Sequence, residues 1–199
     1  MILIGASGHA KVILDILEQN EIKVECLVDA NPSLISLCGY AVVHDSVFNF
    51  EGKDAILSIG SNEVRKKLND LLPCTFKTAI HPKAILDKTV KVGEGTVVMA
   101  GVVLNRDVAV GKHVIINTSA SVDHDNHIKD YVHISPNATL CGTVTVGEGT
   151  HIGAGATIIP NISIGKWAII GAGAVVISDI PDFAVAVGNP ARIIKYINE

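Results

Sequence analysis

From Ile80 to Val176, every sixth residue of the chain is Ile, Leu or Val, at 17 consecutive positions without an exception. Those three types make up 63 of the 199 residues, about one in three. A chance run of that length has odds below about one in a million. The position four further along each hexad is also small or aliphatic (Ala84, Val90, Thr96, Val102 and onward), and Asn126 alone departs from that rule. A period of six, rich in glycine and β-branched residues, cannot be an α-helix. Each hexad reads as a short strand and a corner, with one aliphatic side chain pointing inward to stack on its equivalent in the next coil. Each buried aliphatic stabilises by about 1.5–3 kcal/mol, so an unbroken column supplies a core without aromatics. Aromatics are only 4% of this chain, against 48% apolar residues. A second period fixes the coil. Gly93, Gly111, Gly147 and Gly165 fall on one 18-residue grid, and the VGEGT that starts at Val92 recurs at Val146. Three hexads per turn make a triangular prism.

Residues before the repeat follow another pattern. Ile2–Ile4, Val24–Val28, Tyr40–Val43 and Ala55–Ile59 read as strands. Between them Gly5-Ala6-Ser7-Gly8 turns into a helix running to about Asn20, with Val12, Ile13, Ile16 and Leu17 at helical spacing. Gly60-Ser61-Asn62 opens a second helix over Glu63–Leu72, which Pro73 stops. Strands alternating with helices imply a mostly parallel sheet with right-handed crossovers. The expected organisation is therefore a small α/β Rossmann-like domain over 1–78, a β-helix over 79–187 and a tail over 188–199.

Composition narrows the function. With 16 basic and 20 acidic side chains the net charge is −4, and no basic cluster offers the phosphate contacts that nucleic-acid binding needs. The longest apolar stretch, Trp167 to Ile177, is too short and glycine-rich to span a bilayer. MILIGASGHAK has no basic lead or cleavage pattern, so no signal peptide is expected. Cys26, Cys38, Cys74 and Cys141 lie far apart, without paired metal spacing. They read as reduced thiols in a cytoplasmic protein.

The hexad repeat and the closing Gly188-Asn189-Pro190-Ala191-Arg192 resemble the left-handed parallel β-helix acyltransferases. GASGHA at Gly5, IGSNEVRKK from Ile59, HPKA at His81, INTSASVDHD from Ile116 and VGNPAR from Val187 sharpen the resemblance. Together they are similar to one subgroup, the sugar-nucleotide 4-amino-sugar N-acetyltransferases and sialic acid O-acetyltransferases. It covers nearly the whole chain and implies the left hand of the helix. It also implies acetyl-CoA as co-substrate, no metal, a homotrimer and neither nucleic acid nor membrane as partner. The activity it implies is N-acetylation of a nucleotide-activated 4-amino-4,6-dideoxy sugar, with UDP as the expected carrier. The alternatives are O-acetylation of a sialic acid and a non-catalytic sugar-nucleotide-binding trimer. A zinc site of the kind that β-helix carbonic anhydrases build is not expected, because the spacing of His124, His127 and His133 does not match theirs.

The hexad Val122-Asp123-His124-Asp125-Asn126-His127 is the one that breaks the small-residue rule, and such a departure points to function overriding packing. The resemblance makes His124 the general base and Asp125, one methylene shorter than the common Glu, the group that orients it. Read alone, the two residues fit a solvated surface pair as well. Gly142 lies 18 residues on, one coil above His124, where its N–H would donate to a thioester oxygen or its lack of a side chain would merely relieve crowding. Asn117 and His133 match two further family site positions and share a corner roughly one face away from His124, which implies a site between subunits. For the nucleotide, the resemblance implies Gly5, Ser7, Gly8 and His9 at the strand-to-helix turn, Asp29 after the second strand, and Gly60 and Asn62 at the next turn. Each also fits a cap or turn role. The turn lacks two glycines of a dinucleotide fingerprint. For acetyl-CoA it implies His133, Gly142, Gly171, Ala172, Pro190 and Arg192. His44, His113, His127 and His151 read as surface or corner residues.

Overall fold

The computed structural model describes residues 1–197. The N-terminal part runs β1 (Ile2–Ile4), α1 (Gly8–Gln19), β2 (Cys26–Asp29), β3 (Ser36–Leu37), β4 (Tyr40–His44), β5 (Asp54–Leu57), α2 (Asn62–Leu71) and β6 (Thr75–Phe76). The sheet order is β3-β4-β2-β1-β5-β6, parallel throughout except for the β3–β4 hairpin. The strands β1 and β5 are covered on both faces, so Ile2–Ile4 and, after the exposed Asp54, 55–57 read as continuous apolar runs rather than alternating ones. Helix α1 buries Ala10, Ile13, Leu14 and Leu17, the i, i+3, i+4, i+7 stripe. Val12, expected on that stripe, is exposed, one residue off the buried face. Ser61 caps α2 by accepting from Val64 N at 3.3 Å.

From Ala79 the chain becomes a parallel β-solenoid of three sheets. The first face stacks Ala79–Ile80, Val97–Val98, Ile115–Ile116, His133–Ile134, His151–Ile152 and Ile169–Ile170. The second face starts at Ile85–Leu86 and the third at Lys91–Val92, and every strand pairs with its equivalents 18 residues away. The hexad aliphatics point inward and are buried from Val98 to Val176. In the first coil Ile80, Leu86 and Val92 are only partly buried, because no coil lies beneath them. At the other end Ala184–Val187 extends the first face, and Arg192–Tyr196 pairs with it antiparallel to close the sheet. The glycine grid marks where coils touch backbone to backbone: a Cβ on Gly93 would lie 2.5 Å from the Gly111 oxygen.

The N-terminal domain sits on the outside of the first face. Ala79, Val97 and Ile115 point outward from the prism and share one core with α1 and β1. The same outward row continues as His133 and His151, so it changes from apolar to polar along the prism axis. Here the structure refines the reading of His113 and His151 as surface or corner residues: His113 does stand at a corner (φ +52°), but the docked domain covers it. His113 is buried, edge-on to Phe76 and stacked on Tyr131, and His151 is stacked on His133 at 4.8 Å. The docked domain covers positions that a bare prism would leave open.

Candidate active site

His124 and Asp125 form the tip of the corner between the second and third faces. Asp125 takes the left-handed conformation (φ +59°) that this place adopts in every hexad from Gly95 to Gly173, and aspartate tolerates it better than most residues. That turn brings the Asp125 carboxylate to 2.8 Å from His124 Nδ1. The shorter side chain therefore reaches. The hydrogen bond to Asp125, and after it the charge of Asp123, raise the His124 pKa above the ordinary histidine value. Asp123 also accepts from His124 N at 2.9 Å and from Asn105 Nδ2 at 2.9 Å, which fixes the base of the turn. With Nδ1–H committed to the carboxylate, the free Nε2 is the nitrogen able to accept a proton.

Gly142 lies directly over this ring. A Cβ there would stand 2.6 Å from His124 Cε1 and 2.7 Å from Nε2, so the imidazole occupies the space a side chain would need. The Gly142 N–H has no hydrogen-bond partner among the described residues.

Asn117 and His133 meet at the corner between the first and second faces. Asn117 Oδ1 accepts from Thr118 N at 2.8 Å, which orients the amide so that Nδ2 donates to His133 Nε2 at 3.0 Å. The whole second face separates this pair from His124. His133 belongs to a cluster under the docked domain. Burial, then the neighbouring His151, Arg65 and His9, push its pKa down to about 3, and His9 is held at about 4 by burial and Arg65. His151 shares a 2.8 Å contact with Ser135 Oγ. These imidazoles are neutral at pH 7, so they serve as hydrogen-bonding groups and not as cations.

Arg65, which sequence reasoning passed over, organises that cluster. It is 1% exposed and donates to His113 O at 3.1 Å, Gly60 O at 2.9 Å, Tyr131 O at 2.9 Å and Asn62 Oδ1 at 2.9 Å. Within VRKKL it looks like one more solvated cation, and no local signal sets it apart. Its acceptors span both domains, so it latches them together. Asn62 acts in the same latch, donating to Gly149 O at 2.9 Å.

A crevice of about 400 Å³ opens at the carboxyl ends of β1, β2 and β5, the place where open α/β sheets bind ligands. Gly5, Ser7, Asp29 and Gly60 line it, together with apolar side chains such as Phe50 and Leu68. Gly5 has φ +105°, and a Cβ there would meet Ile59 at 2.7 Å, so only glycine fits this turn. Asp29 accepts from Ala6 N at 2.7 Å and from Asn31 N at 2.8 Å, holding the loop in shape. Gly8 is the first residue of α1. Gly8, His9 and Asn62, expected at the crevice, do not line it; His9 and Asn62 turn toward the solenoid.

At the far end of the prism, the Gly171 N–H is used by Ala186 O at 2.8 Å, while Ala172 N–H has no partner among the described residues. Gly171 lies against Val187, which a Cβ would approach to 2.7 Å. Pro190 follows a cis bond from Asn189, and Arg192 is exposed. Among the described residues no group of three or more His, Cys, Asp and Glu is placed to hold a metal, and no helix is long and apolar enough to cross a membrane.

Comparison with known proteins agrees with this arrangement. Residues 1–72 match the family model described as the PglD N-terminal domain, and residues 127–159 and 143–178 match the bacterial transferase hexapeptide model. A variant of perosamine N-acetyltransferase from Caulobacter crescentus, solved with CoA and GDP-perosamine, superposes with a TM-score of 0.92. It is 37% identical, over 98% of this chain and 96% of that one. The acetyltransferase domain of PglB from Neisseria gonorrhoeae superposes at 0.90, with 32% identity over 97% of this chain and 98% of that one. UDP-N-acetylbacillosamine N-acetyltransferase of Bacillus subtilis is 46% identical over 48 residues, a match spanning 22% of that protein and 23% of this chain. The chain belongs to the hexapeptide-repeat acetyltransferases, in the subgroup that joins a PglD-type N-terminal domain to the solenoid.

Proposed function

We propose that this protein transfers the acetyl group of acetyl-CoA to the amine of a nucleotide-activated 4-amino-4,6-dideoxy sugar. The observation that carries this reading is the exposed His124–Asp125 pair with the unpartnered Gly142 N–H directly above it. An amine attacking a thioester must lose a proton, and His124 Nε2 is free to take it while Asp125 stabilises the imidazolium. The tetrahedral intermediate needs a donor at its oxygen, and the Gly142 N–H supplies one. The intermediate then collapses as the C–S bond breaks, the His124 imidazolium returns its proton to the leaving CoA sulfur, and no acyl-enzyme forms.

The crevice lined by Gly5, Ser7, Asp29 and Gly60 would take the nucleotide, with the α1 start at Gly8 facing the phosphates. UDP is the base carrier we favour, supported by the bacillosamine-type relative; the GDP-perosamine complex makes guanosine the competing outcome. Acetyl-CoA would run along the C-terminal coils past Ala172, Gly171 and Pro190 toward Arg192. Asn117 and His133 sit one face away from His124, and a neighbouring prism around a threefold axis would bring the two corners together. A homotrimer with its sites between subunits follows. The setting is the cytoplasm, where the four unpaired cysteines stay reduced.

The test is thiol release from acetyl-CoA with UDP- and GDP-linked 4-amino-4,6-dideoxy sugars and with sialic acid, using His124→Ala as control. His124-dependent release with an amino sugar supports the proposal and identifies the base. Release with sialic acid alone moves the function to O-acetylation. Release with none leaves a binding trimer and overturns the proposal. Light scattering that shows a fully active monomer overturns the shared site.

A further inference from the structure

Asn126 breaks the rule of its own column. The same place in neighbouring coils is held by Val90, Val108, Val144 and Ile162, yet Asn126 is fully buried. Its Nδ2 lies 2.7 Å from Asp123 O, 3.2 Å from His124 O and 2.9 Å from Cys141 O. Its Oδ1 has no partner among the described residues. A buried acceptor left unpaired is costly, and a valine would fill the column without that penalty. The side chain that packing disfavours is thus committed to three carbonyls around one corner.

Two of those carbonyls belong to the turn that carries His124. The third belongs to the Cys141–Gly142 peptide in the coil above. In a trans peptide the C=O and N–H point in opposite directions. Asn126 sits inside the prism, so the carbonyl drawn toward it leaves the Gly142 N–H facing outward, beside the His124 ring. Accepting a hydrogen bond at that carbonyl also polarises the peptide and strengthens its N–H as a donor.

We infer that Asn126 is a positioning residue, whose amide aims the Gly142 N–H at the developing oxyanion and ties that donor to the turn of the base. The inference rests on the acetyl-transfer reading of the site. The fold carries its own control. At the same hexad place on another corner, Thr78, Thr96 and Thr150 donate from Oγ1 to the carbonyls of Gly93, Gly111 and Gly165, at 3.0, 2.8 and 2.6 Å. Each acceptor lies 15 residues ahead, the separation of Asn126 from Cys141. Asn126→Thr therefore keeps a donor for Cys141 O, whereas Asn126→Val has the same shape and none.

The experiment uses the full chain labelled with carbonyl-13C cysteine and 15N glycine. Its two Cys–Gly peptides, Cys38–Gly39 and Cys141–Gly142, give two selected amide signals, and Gly39 serves as reference. In Asn126→Val the Gly142 signal shifts and the Gly39 signal stays. The kcat for acetyl transfer drops by about ten- to a hundredfold, with both KM values unchanged within about twofold. Asn126→Thr returns the signal toward its original position and recovers most of kcat. An unmoved Gly142 signal, an unchanged kcat in the valine variant, or a threonine variant no better than valine overturns the inference. Wild-type protein that releases no thiol with any acceptor overturns the acetyl-transfer reading instead, and the amide signals then still report whether Asn126 sets the Gly142 peptide.

Discussion

Acidification probes the junction of the two domains through histidines that are buried uncharged. His133 is held at about 3 and His9 at about 4, each mainly because burial disfavours the imidazolium. In the unfolded chain both return to the ordinary value of 6.5. Between those limits the unfolded state binds protons that the folded state refuses, so stability falls as pH drops and is fully present above about 6.5. One such proton is worth about 1.36 kcal/mol per pH unit. At about pH 5, roughly 1.5 units below the unfolded value, each group has removed about 2 kcal/mol, or about 4 kcal/mol together. For a chain of this length that lowers Tm by roughly 8–16 °C. His113, held at about 4 first by burial and then by Arg65, acts in the same direction. His124 has the opposite sign because its pKa is raised, but it stands on an exposed corner where solvent screens the effect. The lowered carboxylates Asp87 and Asp123 act only as the pH falls through the carboxylate range, below this window. Thermal unfolding followed from about pH 8 to about pH 5, with imidazole titration by NMR, measures both halves of the argument. A Tm that is flat over that range, or His9 and His133 titrating near 6.5 in the folded protein, refutes it.

Four further outcomes are expected. His124→Ala lowers kcat by about a hundred- to ten-thousandfold. Asp125→Asn removes the bond that raises the His124 pKa, so the acid limb of the pH–rate profile moves to lower pH; a limb that stays in place or moves up counts against the assignment. Gly142→Ala puts a Cβ 2.6 Å from His124 Cε1 and displaces the imidazole, so activity falls at least about tenfold while denaturant unfolding shifts little. Arg65→Met leaves His113 O, Tyr131 O and Asn62 Oδ1 without their donor. Unpaired buried acceptors cost about 1–3 kcal/mol each, partly offset by no longer burying a cation, so urea unfolding should show a loss of about 2–5 kcal/mol. An unchanged midpoint shows that the latch contributes nothing.

The solenoid was legible in the chain because its contacts repeat. Val98 stacks beneath Ile116, which stacks beneath Ile134, always 18 residues on, so one inward residue per hexad writes the core directly into the sequence. Asn126 stood out for the same reason, since a regular pattern makes its own exceptions visible. His124, Asp125 and Gly142 share a corner by that arithmetic alone. The α/β domain was legible from its strand and helix periods, and Asp29 and Gly5 from their place at strand ends. What no period carries is the docking of one domain on the other. Arg65 reaches Tyr131 across 66 positions and Asn62 reaches Gly149 across 87, separations set by no repeat. Only the tertiary structure therefore decided that His113 is buried and His151 half-buried, that His9 turns from the crevice to the prism, and that the outward row of the first face is covered. Burial depends on what lies over a residue. For a side chain on the outside of a prism, that cover comes from a distant part of the chain.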